Sequence, residues 1–205
     1  MLRNKRILFL GSSVTYGYAS DGISFADLLE EVDGCISIKE AVSGTTLVED
    51  EEESYIARMK RLQISDPVHL FVCQLSTNDA TKNKPLGQVS SGYDINSFDT
   101  STIAGAIEYI TAFAKARYHC PIVFYTSPKY DSPAYEQMVK LLYQIKDKWN
   151  MGIIDMWNDT TFNDISIENR QLYMADPIHP TKEGYQKWWL PRFEQELIKY
   201  FPDES

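Results

Sequence analysis

The sequence predicts an α/β fold built on a mostly parallel sheet of five strands. Apolar runs alternate along the chain with amphipathic stretches of helical length, which is the pattern of repeated β-α-β units. The apolar runs are hydrophobic at nearly every position, as expected for strands that helices cover on both faces. The candidate strands are residues 6–11, 36–42, 70–76, 122–127 and 152–156.

The intervening segments predict five helices in a single domain. Each segment is amphipathic, and the candidate helices are residues 23–32, 51–64, 100–118, 132–149 and 181–199. Pro191 lies inside the last of these, so we expect a kink or break near Leu190. No internal repeat, low-complexity tract or linker interrupts the pattern, which indicates one domain over residues 1–205.

The composition is that of an ordinary globular protein with an acidic balance. Hydrophobic residues make up 43% of the 205 and charged residues 24%, which is enough apolar material for one core without metals or disulfides. The 29 acidic side chains outnumber the 20 basic ones, giving a formal net charge of −9. Because nucleic acids and anionic membranes are bound by clustered lysine and arginine, we expect neither as a partner.

Targeting and redox features favour a cytoplasmic protein. The apolar run after the basic N-terminus is confined to residues 7–10, shorter than the ~7–15 residues of a signal-peptide core. No run approaches the ~18 apolar residues of a membrane span, so we expect no stable membrane association. Cys35, Cys73 and Cys120 are widely spaced and lie in or beside apolar runs, as expected for reduced, buried thiols. Metal-ligand spacing and cofactor motifs are absent, and neither group is predicted.

Ser13 lies in a turn of small residues that directly follows the first strand. This position is the carboxyl edge of the predicted sheet, where α/β proteins place their reactive groups. A serine hydroxyl becomes nucleophilic when a neutral imidazole accepts its proton. His69 and His119 each directly precede a strand and therefore belong at the opposite edge. His179 follows the fifth strand and precedes the last helix, so it is the expected base.

Asp176 lies three residues before His179, close enough for its carboxylate to reach one imidazole nitrogen within a single turn. Such a hydrogen bond fixes the tautomer of the base and stabilises the imidazolium that forms during attack. Pro177 and Pro180 stiffen the turn and reduce the entropy lost in holding the pair. In isolation the same pattern is more typical of a surface loop before a capped helix, and it is the presence of the Ser13 turn that favours a catalytic pair.

Acyl transfer also requires hydrogen-bond donors aimed at the developing oxyanion, each worth ~3–4 kcal/mol. Ser13 can offer its own backbone N–H. Gly44, after the second strand, offers an uncluttered backbone N–H, and Asn78, after the third strand, offers a side-chain amide. Each would read as a turn residue by itself. Three successive strands that end in such turns around one serine favour an oxyanion hole formed by Ser13, Gly44 and Asn78.

With these residues in order, the chain resembles the SGNH hydrolases, the GDSL-type esterase/lipase family. That family has Ser, Gly, Asn and His in four separate motif blocks, which match Ser13, Gly44, Asn78 and His179, with Asp176 in the Asp-x-x-His block. The match extends from residue 6 to about residue 190. The resemblance implies a three-layer α/β/α sandwich of the flavodoxin-like type and a Ser-His-Asp triad.

Two positions depart from the family pattern. The first block usually reads Gly-Asp-Ser, whereas Ser12 stands here in place of the aspartate. This change removes a negative charge and a turn-stabilising acceptor beside the nucleophile, but no member of the triad. The third block usually reads Gly-x-Asn-Asp, whereas Ser76 stands in place of the glycine. We expect the serine to tighten the packing near Asn78 and to narrow the acyl pocket.

Two further segments stand out. The connection over residues 78–100 is long and rich in Lys, Asn, Ser and Gly, and we expect this loop to shape the substrate entrance. Residues 49–53 are five consecutive acids, which we interpret as the solvated start of the helix at 51–64. The functional alternative is that these acids repel anionic substrates.

The resulting prediction is a serine esterase that hydrolyses small carboxylic esters through an acyl-enzyme. The resemblance implies short acyl esters, acetylated carbohydrates or lysophospholipid-like molecules as the substrate class. Two alternatives stay open at this point. One is a non-catalytic, flavodoxin-like module that binds a small ligand, and the other is an acyltransferase that uses the same triad. The sequence does not indicate an oligomeric state.

Overall fold

The computed structural model describes residues 1–202, in which a five-stranded, all-parallel sheet forms the centre. The strands are β1 (Arg6–Gly11), β2 (Ile36–Ala41), β3 (Leu70–Gln74), β4 (Ile122–Tyr125) and β5 (Gly152–Ile154). Their order is β2-β1-β3-β4-β5, which is the flavodoxin-like order. All five predicted strands are present. Four of them end one or two residues early, because their last residues leave the sheet and form the turns at its carboxyl edge.

Helices surround this sheet and include several that the sequence pattern did not predict. They are α1 (Ser13–Tyr16), α2 (Phe25–Asp33), α3 (Tyr55–Arg61), α4 (Thr77–Thr81), α5 (Ile103–Tyr118), α6 (Pro133–Trp149), α7 (Thr160–Asn163), α8 (Ile167–Tyr173), α9 (Lys182–Gly184) and α10 (Leu190–Leu197). The unpredicted α1, α4, α7 and α8 are too short for an apolar repeat to be visible. Within residues 1–202, no helix has the length and apolar character required to cross a bilayer.

The sheet separates two hydrophobic cores, which confirms the three-layer architecture. Along β1, Ile7 and Phe9 point to the face covered by α2 and α10, whereas Leu8 and Leu10 point to the face covered by α3, α5 and α6. Successive side chains of a strand alternate between faces, and both sets are buried here. The near-continuous hydrophobicity of the strands therefore arises from burial on both sides.

The last helical region is irregular where the sequence contains Pro191. A π turn over Tyr185–Trp189 joins α9 to α10, and the Leu190 N–H donates to the Tyr185 carbonyl. Pro191 follows within the first turn of α10. Because proline has no N–H to donate, it is tolerated at the start of a helix but not in its interior. The expected irregularity near Leu190 is confirmed, and it takes the form of a wide turn.

The acidic run does not begin a helix, and that part of the expectation is wrong. Helix α3 begins at Tyr55, with the Ser54 side chain as its cap. Four of the five acidic side chains instead contact lysine or arginine: Glu49 with Lys60, Asp50 with Lys84, Glu51 with Lys82, and Glu53 with Arg61. These pairs balance much of the negative charge of the run on the surface.

The long connection after β3 divides into two parts. Its beginning, α4, stays at the carboxyl edge of the sheet. Residues 90–98 are instead held against α5 and α6, because the buried Glu108 accepts the Ser90 N–H at 2.8 Å and also contacts the Lys148 amine. The Tyr93 and Phe98 rings pack against Trp149 on the same side. A role at the substrate entrance therefore stays a prediction for the first part of the connection.

Candidate active site

Ser13 and His179 meet at the carboxyl edge although they are 166 positions apart. The Ser13 Oγ lies 2.8 Å from the His179 Nε2, which is hydrogen-bond distance. Ser13 is the first residue of α1, and only 5% of its surface is exposed. The neighbouring Ser12 is fully buried, and within residues 1–202 its hydroxyl oxygen has no hydrogen-bond partner. The geometry thus distinguishes Ser13 from Ser12 as the hydroxyl in reach of the imidazole.

Asp176 holds the other side of the His179 ring. Its Oδ2 lies 2.7 Å from the His179 Nδ1, while its Oδ1 accepts the backbone N–H groups of Ile178 at 2.7 Å and His179 at 2.8 Å. One oxygen is thereby fixed by the backbone and the other by the ring. An isolated antiparallel bridge between Met174 and Pro180 closes this loop at its base.

The charge state of Asp176 suits an orienting role. Partial burial opposes its ionisation, but the hydrogen bonds from the His179 ring and from the backbone of Ile178 and His179 outweigh burial and lower the pKa of Asp176. The carboxylate is therefore ionised throughout the neutral range. An anion at this position favours the tautomer with a proton on Nδ1 and leaves Nε2 free to accept the proton of Ser13.

The nucleophile turn, defined here as residues 11–16, is anchored from several distant elements. The Gln74 Oε1 at the end of β3 accepts the Ser12 N–H at 2.9 Å and the Thr15 hydroxyl at 2.8 Å. The Tyr185 hydroxyl, from the π turn, donates to the Val14 carbonyl at 2.6 Å. These contacts are buried, so the position of Ser13 depends on packing between elements that are far apart in sequence.

The two other predicted oxyanion donors lie in turns that contact each other. Gly44 is exposed and has a φ of +81°, a conformation that favours glycine. The Asn78 Nδ2 donates to the Thr45 carbonyl at 3.0 Å, which leaves the second N–H of this amide for another acceptor. Ser76 donates to the same carbonyl at 3.1 Å and accepts the Asn78 N–H at 3.1 Å. The Ser76 hydroxyl therefore ties the Asn78 turn to the Gly44 turn.

The Arg58 side chain links the nucleophile turn to the Gly44 turn. The side chain is almost fully buried, and its Nη2 donates to the Gly11 carbonyl at 2.7 Å and to the Thr45 hydroxyl at 3.2 Å. Nη1 donates to the carbonyl and carboxylate of Glu40, both at 3.0 Å, and Nε donates to the Glu53 carbonyl at 2.9 Å. The buried guanidinium thus has an acceptor on each nitrogen, as a buried charge requires.

Asp79 connects α4 to the segment that follows the Gly44 turn. Its two oxygens accept the backbone N–H groups of Leu47 at 2.8 Å and Val48 at 3.2 Å. Burial outweighs these hydrogen bonds and raises the pKa of Asp79 to about 6. Because its oxygens face the backbone of this segment, Asp79 supports the site and is not placed to act as its base.

Sequence reasoning missed Gln74, Arg58 and Asp79, although two of them left a signal. Gln74 is a polar residue in an otherwise apolar strand, and such a residue needs a buried partner. Arg58 falls between Tyr55 and Met59 on the buried face of α3, where a charge is unexpected. Neither signal identifies the partner, because the partners lie on other elements.

The two other histidines lie where the predicted polarity of the sheet places them. His69 accepts the Arg6 N–H at 2.8 Å beside the start of β1, and His119 ends α5 in a left-handed conformation. Both lie at the amino edge, as predicted. At the carboxyl edge, the Tyr18 ring centroid lies 5.1 Å from that of His179, and 63% of Tyr18 is exposed. Tyr18 is therefore accessible beside the imidazole.

Comparison with known proteins identifies the family. The family model of the GDSL-like lipase/acylhydrolases matches residues 9–187. The chain belongs to the GDSL-like lipase/acylhydrolase family. Membership of this family indicates that this GDSL-like protein is a hydrolase. No curated protein matches the sequence.

Solved structures share the fold of this GDSL-like protein over nearly its whole length. A protein from Lactobacillus plantarum has a TM-score of 0.80 at 16% sequence identity, with 98% of this chain and 100% of that chain covered. A member of the lipolytic protein G-D-S-L family from Veillonella parvula DSM 2008 has a TM-score of 0.70 at 14% identity, with 95% and 99% covered. At 16% and 14% sequence identity, the structural similarity to these two proteins establishes the fold alone.

Proposed function

We propose that this hydrolase is a serine esterase in which Ser13 is the nucleophile, His179 the base and Asp176 the orienting acid. The observation that supports this assignment is the continuous hydrogen-bond chain from the Ser13 Oγ through both nitrogens of His179 to the Asp176 carboxylate, with distances of 2.8 and 2.7 Å. Nucleophile, base and orienting group within hydrogen-bond reach of one another are the geometric signature of such a triad.

The reaction proceeds in two proton-coupled steps. The Ser13 Oγ attacks the ester carbonyl carbon while its proton passes to the His179 Nε2. Collapse of the tetrahedral intermediate breaks the bond to the leaving alcohol, which takes the proton from His179. Water then attacks the acyl-enzyme with His179 again as base, and release of the carboxylic acid restores the Ser13 hydroxyl. Asp176, already ionised at neutral pH, stabilises the imidazolium in both steps.

The developing oxyanion is held by three donors in this proposal. Ser13 is the first residue of α1, so its backbone N–H has no partner within the helix. The Gly44 N–H and the second N–H of the Asn78 amide complete the set. Hydrogen bonds from Ser76, Asn78 and Arg58 to Thr45 support a fixed relation between these turns. Each donor is expected to lower the activation free energy by about 3–4 kcal/mol.

The proposed substrate is a small carboxylic ester: a short acyl ester, an acetylated carbohydrate or a lysophospholipid-like molecule. The exposure of Tyr18, whose ring lies beside that of His179, and of Gly44 supports access from solvent. The Tyr18 ring offers an apolar face against which the alcohol or acyl part can rest.

Covalent labelling with a fluorophosphonate tests the proposal directly. The wild-type protein should be labelled and should hydrolyse short p-nitrophenyl esters. Labelling should disappear in Ser13→Ala and persist in Ser12→Ala, since only the Ser13 hydroxyl contacts His179. Absence of labelling and of turnover across a panel sorted by acyl length would overturn the esterase assignment. Product analysis with competing alcohols then separates hydrolysis from acyl transfer.

A further inference from the structure

Helix α1, which begins with the proposed nucleophile, is not capped by its own N-cap residue. The Ser12 side chain makes no hydrogen bond to the first turn of α1. The acceptor comes instead from β3, because the Gln74 Oε1 accepts the Thr15 N–H at 3.3 Å and the Ser12 N–H at 2.9 Å. Gln74 thus takes the place of a capping side chain, although it is 59 positions away from Thr15.

The orientation of this hydrogen-bond network is fixed by its chemistry. The amide oxygen of Gln74 must face the two backbone N–H groups, since the amide nitrogen is a donor and would oppose them. The Thr15 hydroxyl therefore donates to that oxygen at 2.8 Å, and the Tyr125 hydroxyl donates to Thr15 at 2.6 Å. Gln74, Thr15 and Tyr125 are all buried. A single arrangement of protons satisfies these contacts.

The strands that hold this network are central to the sheet. Gln74 is the last residue of β3, and it pairs directly with Tyr125, the last residue of β4. The turn above them is tightly packed, because a Cβ built at Gly11 would lie 1.7 Å from the Thr15 Oγ1 and 2.9 Å from the Gln74 Oε1. The ends of two central strands therefore determine where α1 begins.

We propose that Gln74 is a positioning residue that sets the Ser13 hydroxyl and backbone N–H for catalysis, a role that rests on the proposed esterase function. Ser13 lies between the two residues whose N–H groups Gln74 accepts, and its own N–H is left for the oxyanion. Loss of the acceptor lets the first turn of α1 shift. A misplacement of about 1 Å at a reacting group can reduce the rate by about 100-fold.

The test compares Gln74→Met with Gln74→Glu. Methionine has a similar length but lacks a strong acceptor, whereas glutamate retains an oxygen for all three donors. For Gln74→Met we expect the second-order rate of fluorophosphonate labelling and kcat for a p-nitrophenyl ester to fall by about 10- to 100-fold, with KM within about twofold. Gln74→Glu should recover at least part of both rates.

A matched control separates positioning from a general loss of stability. Leu142→Ala removes a fully buried side chain of α6, on the opposite face of the sheet from Tyr125, and should lower the melting temperature without slowing the labelling of folded protein. All rates are measured where circular dichroism shows that each variant is folded. Gln74→Met labelled as fast as the control would overturn the positioning role alone. A wild-type protein that does not react would overturn the esterase function together with it.

Thr15 provides a second pair of variants if Gln74→Met does not fold. Thr15→Val removes the hydroxyl between Gln74 and Tyr125, and Thr15→Ser retains it. The labelling rate should fall by about 10-fold in Thr15→Val and return in Thr15→Ser. Equal rates in the two folded variants would contradict the inference.

Discussion

The base loop, residues 174–180, and the nucleophile turn, residues 11–16, bring the two sides of the proposed triad together by different means. The side chain of Asp176 binds the backbone two and three residues later, so the base loop is fixed by its own neighbours. The nucleophile turn is fixed by Gln74, Arg58 and Tyr185, which lie between 47 and 171 positions from their partners. Substitutions of Asp176 and His179 should therefore affect activity alone, whereas those around the nucleophile turn should affect activity and stability together.

His179→Ala should have the largest effect, and on activity only. Without a base, kcat/KM should fall by about 10⁵- to 10⁶-fold, which corresponds to about 7–8 kcal/mol. The melting temperature should change little, since the ring is partly exposed and its loop is held by backbone contacts. Ester turnover and calorimetry on the same preparation give both quantities. A large drop in the melting temperature of His179→Ala would show that His179 supports stability as well as activity, and would contradict the proposed difference between the two regions.

Asp176→Asn should reduce kcat/KM less than His179→Ala does, by roughly 10⁴-fold. The amide keeps an oxygen for the backbone N–H groups but cannot stabilise an imidazolium. In the wild-type protein, the lowered pKa of Asp176 keeps its carboxylate ionised at neutral pH. Ester turnover by the two variants measures the difference. An Asp176→Asn variant as active as the wild type would contradict the orienting role of this carboxylate.

Arg58→Met should disturb the nucleophile turn. The change leaves the Thr45 hydroxyl without its donor and the buried Gly11 carbonyl with only the Val42 N–H at 3.3 Å, and we expect a loss of about 3 kcal/mol in the free energy of unfolding. Activity should also fall, because Arg58 joins the turns that hold Ser13 and Gly44. Arg61→Met on the same helix is the matched control, since Arg61 is exposed and binds only surface groups. Equal urea midpoints for the two variants would refute this expectation.

Asp79→Asn should have the smallest effect, about 1–3 kcal/mol. The Leu47 and Val48 N–H groups bind different oxygens of Asp79, so the amide nitrogen of asparagine would face one of them as a second donor. Burial raises the pKa of Asp79 from its ordinary 3.8 to about 6. The folded protein therefore binds this proton more tightly than the unfolded chain does between those values. The resulting stabilisation is present below about pH 4 and is lost as pH rises through about 6.

Urea denaturation at two pH values measures this linkage. The difference in unfolding free energy between wild type and Asp79→Asn should be larger at pH 4.5 than at pH 7, because the variant lacks the titrating group. A difference that does not change with pH would show that Asp79 has an ordinary pKa in the folded protein.

The parts of this protein that sequence reasoning found are those whose partners are close in the chain. Five strands, the long helices and the irregularity at Pro191 follow from apolar periodicity and backbone preferences, which act over a few residues. Asp176 and His179 were paired for the same reason, since three residues separate them. Ser13 was placed by the end of its strand.

The tertiary structure decided everything that depends on partners from separate elements. Ser12 and Ser13 are adjacent in the sequence and both are buried, but the fold brings the Ser13 hydroxyl to 2.8 Å from His179. The fold likewise places Gln74 against α1 and Arg58 against the Gly11 carbonyl. It also holds residues 90–98 at Glu108 and not at the site. A buried polar side chain must find a partner, and which partner it finds depends on how the elements pack.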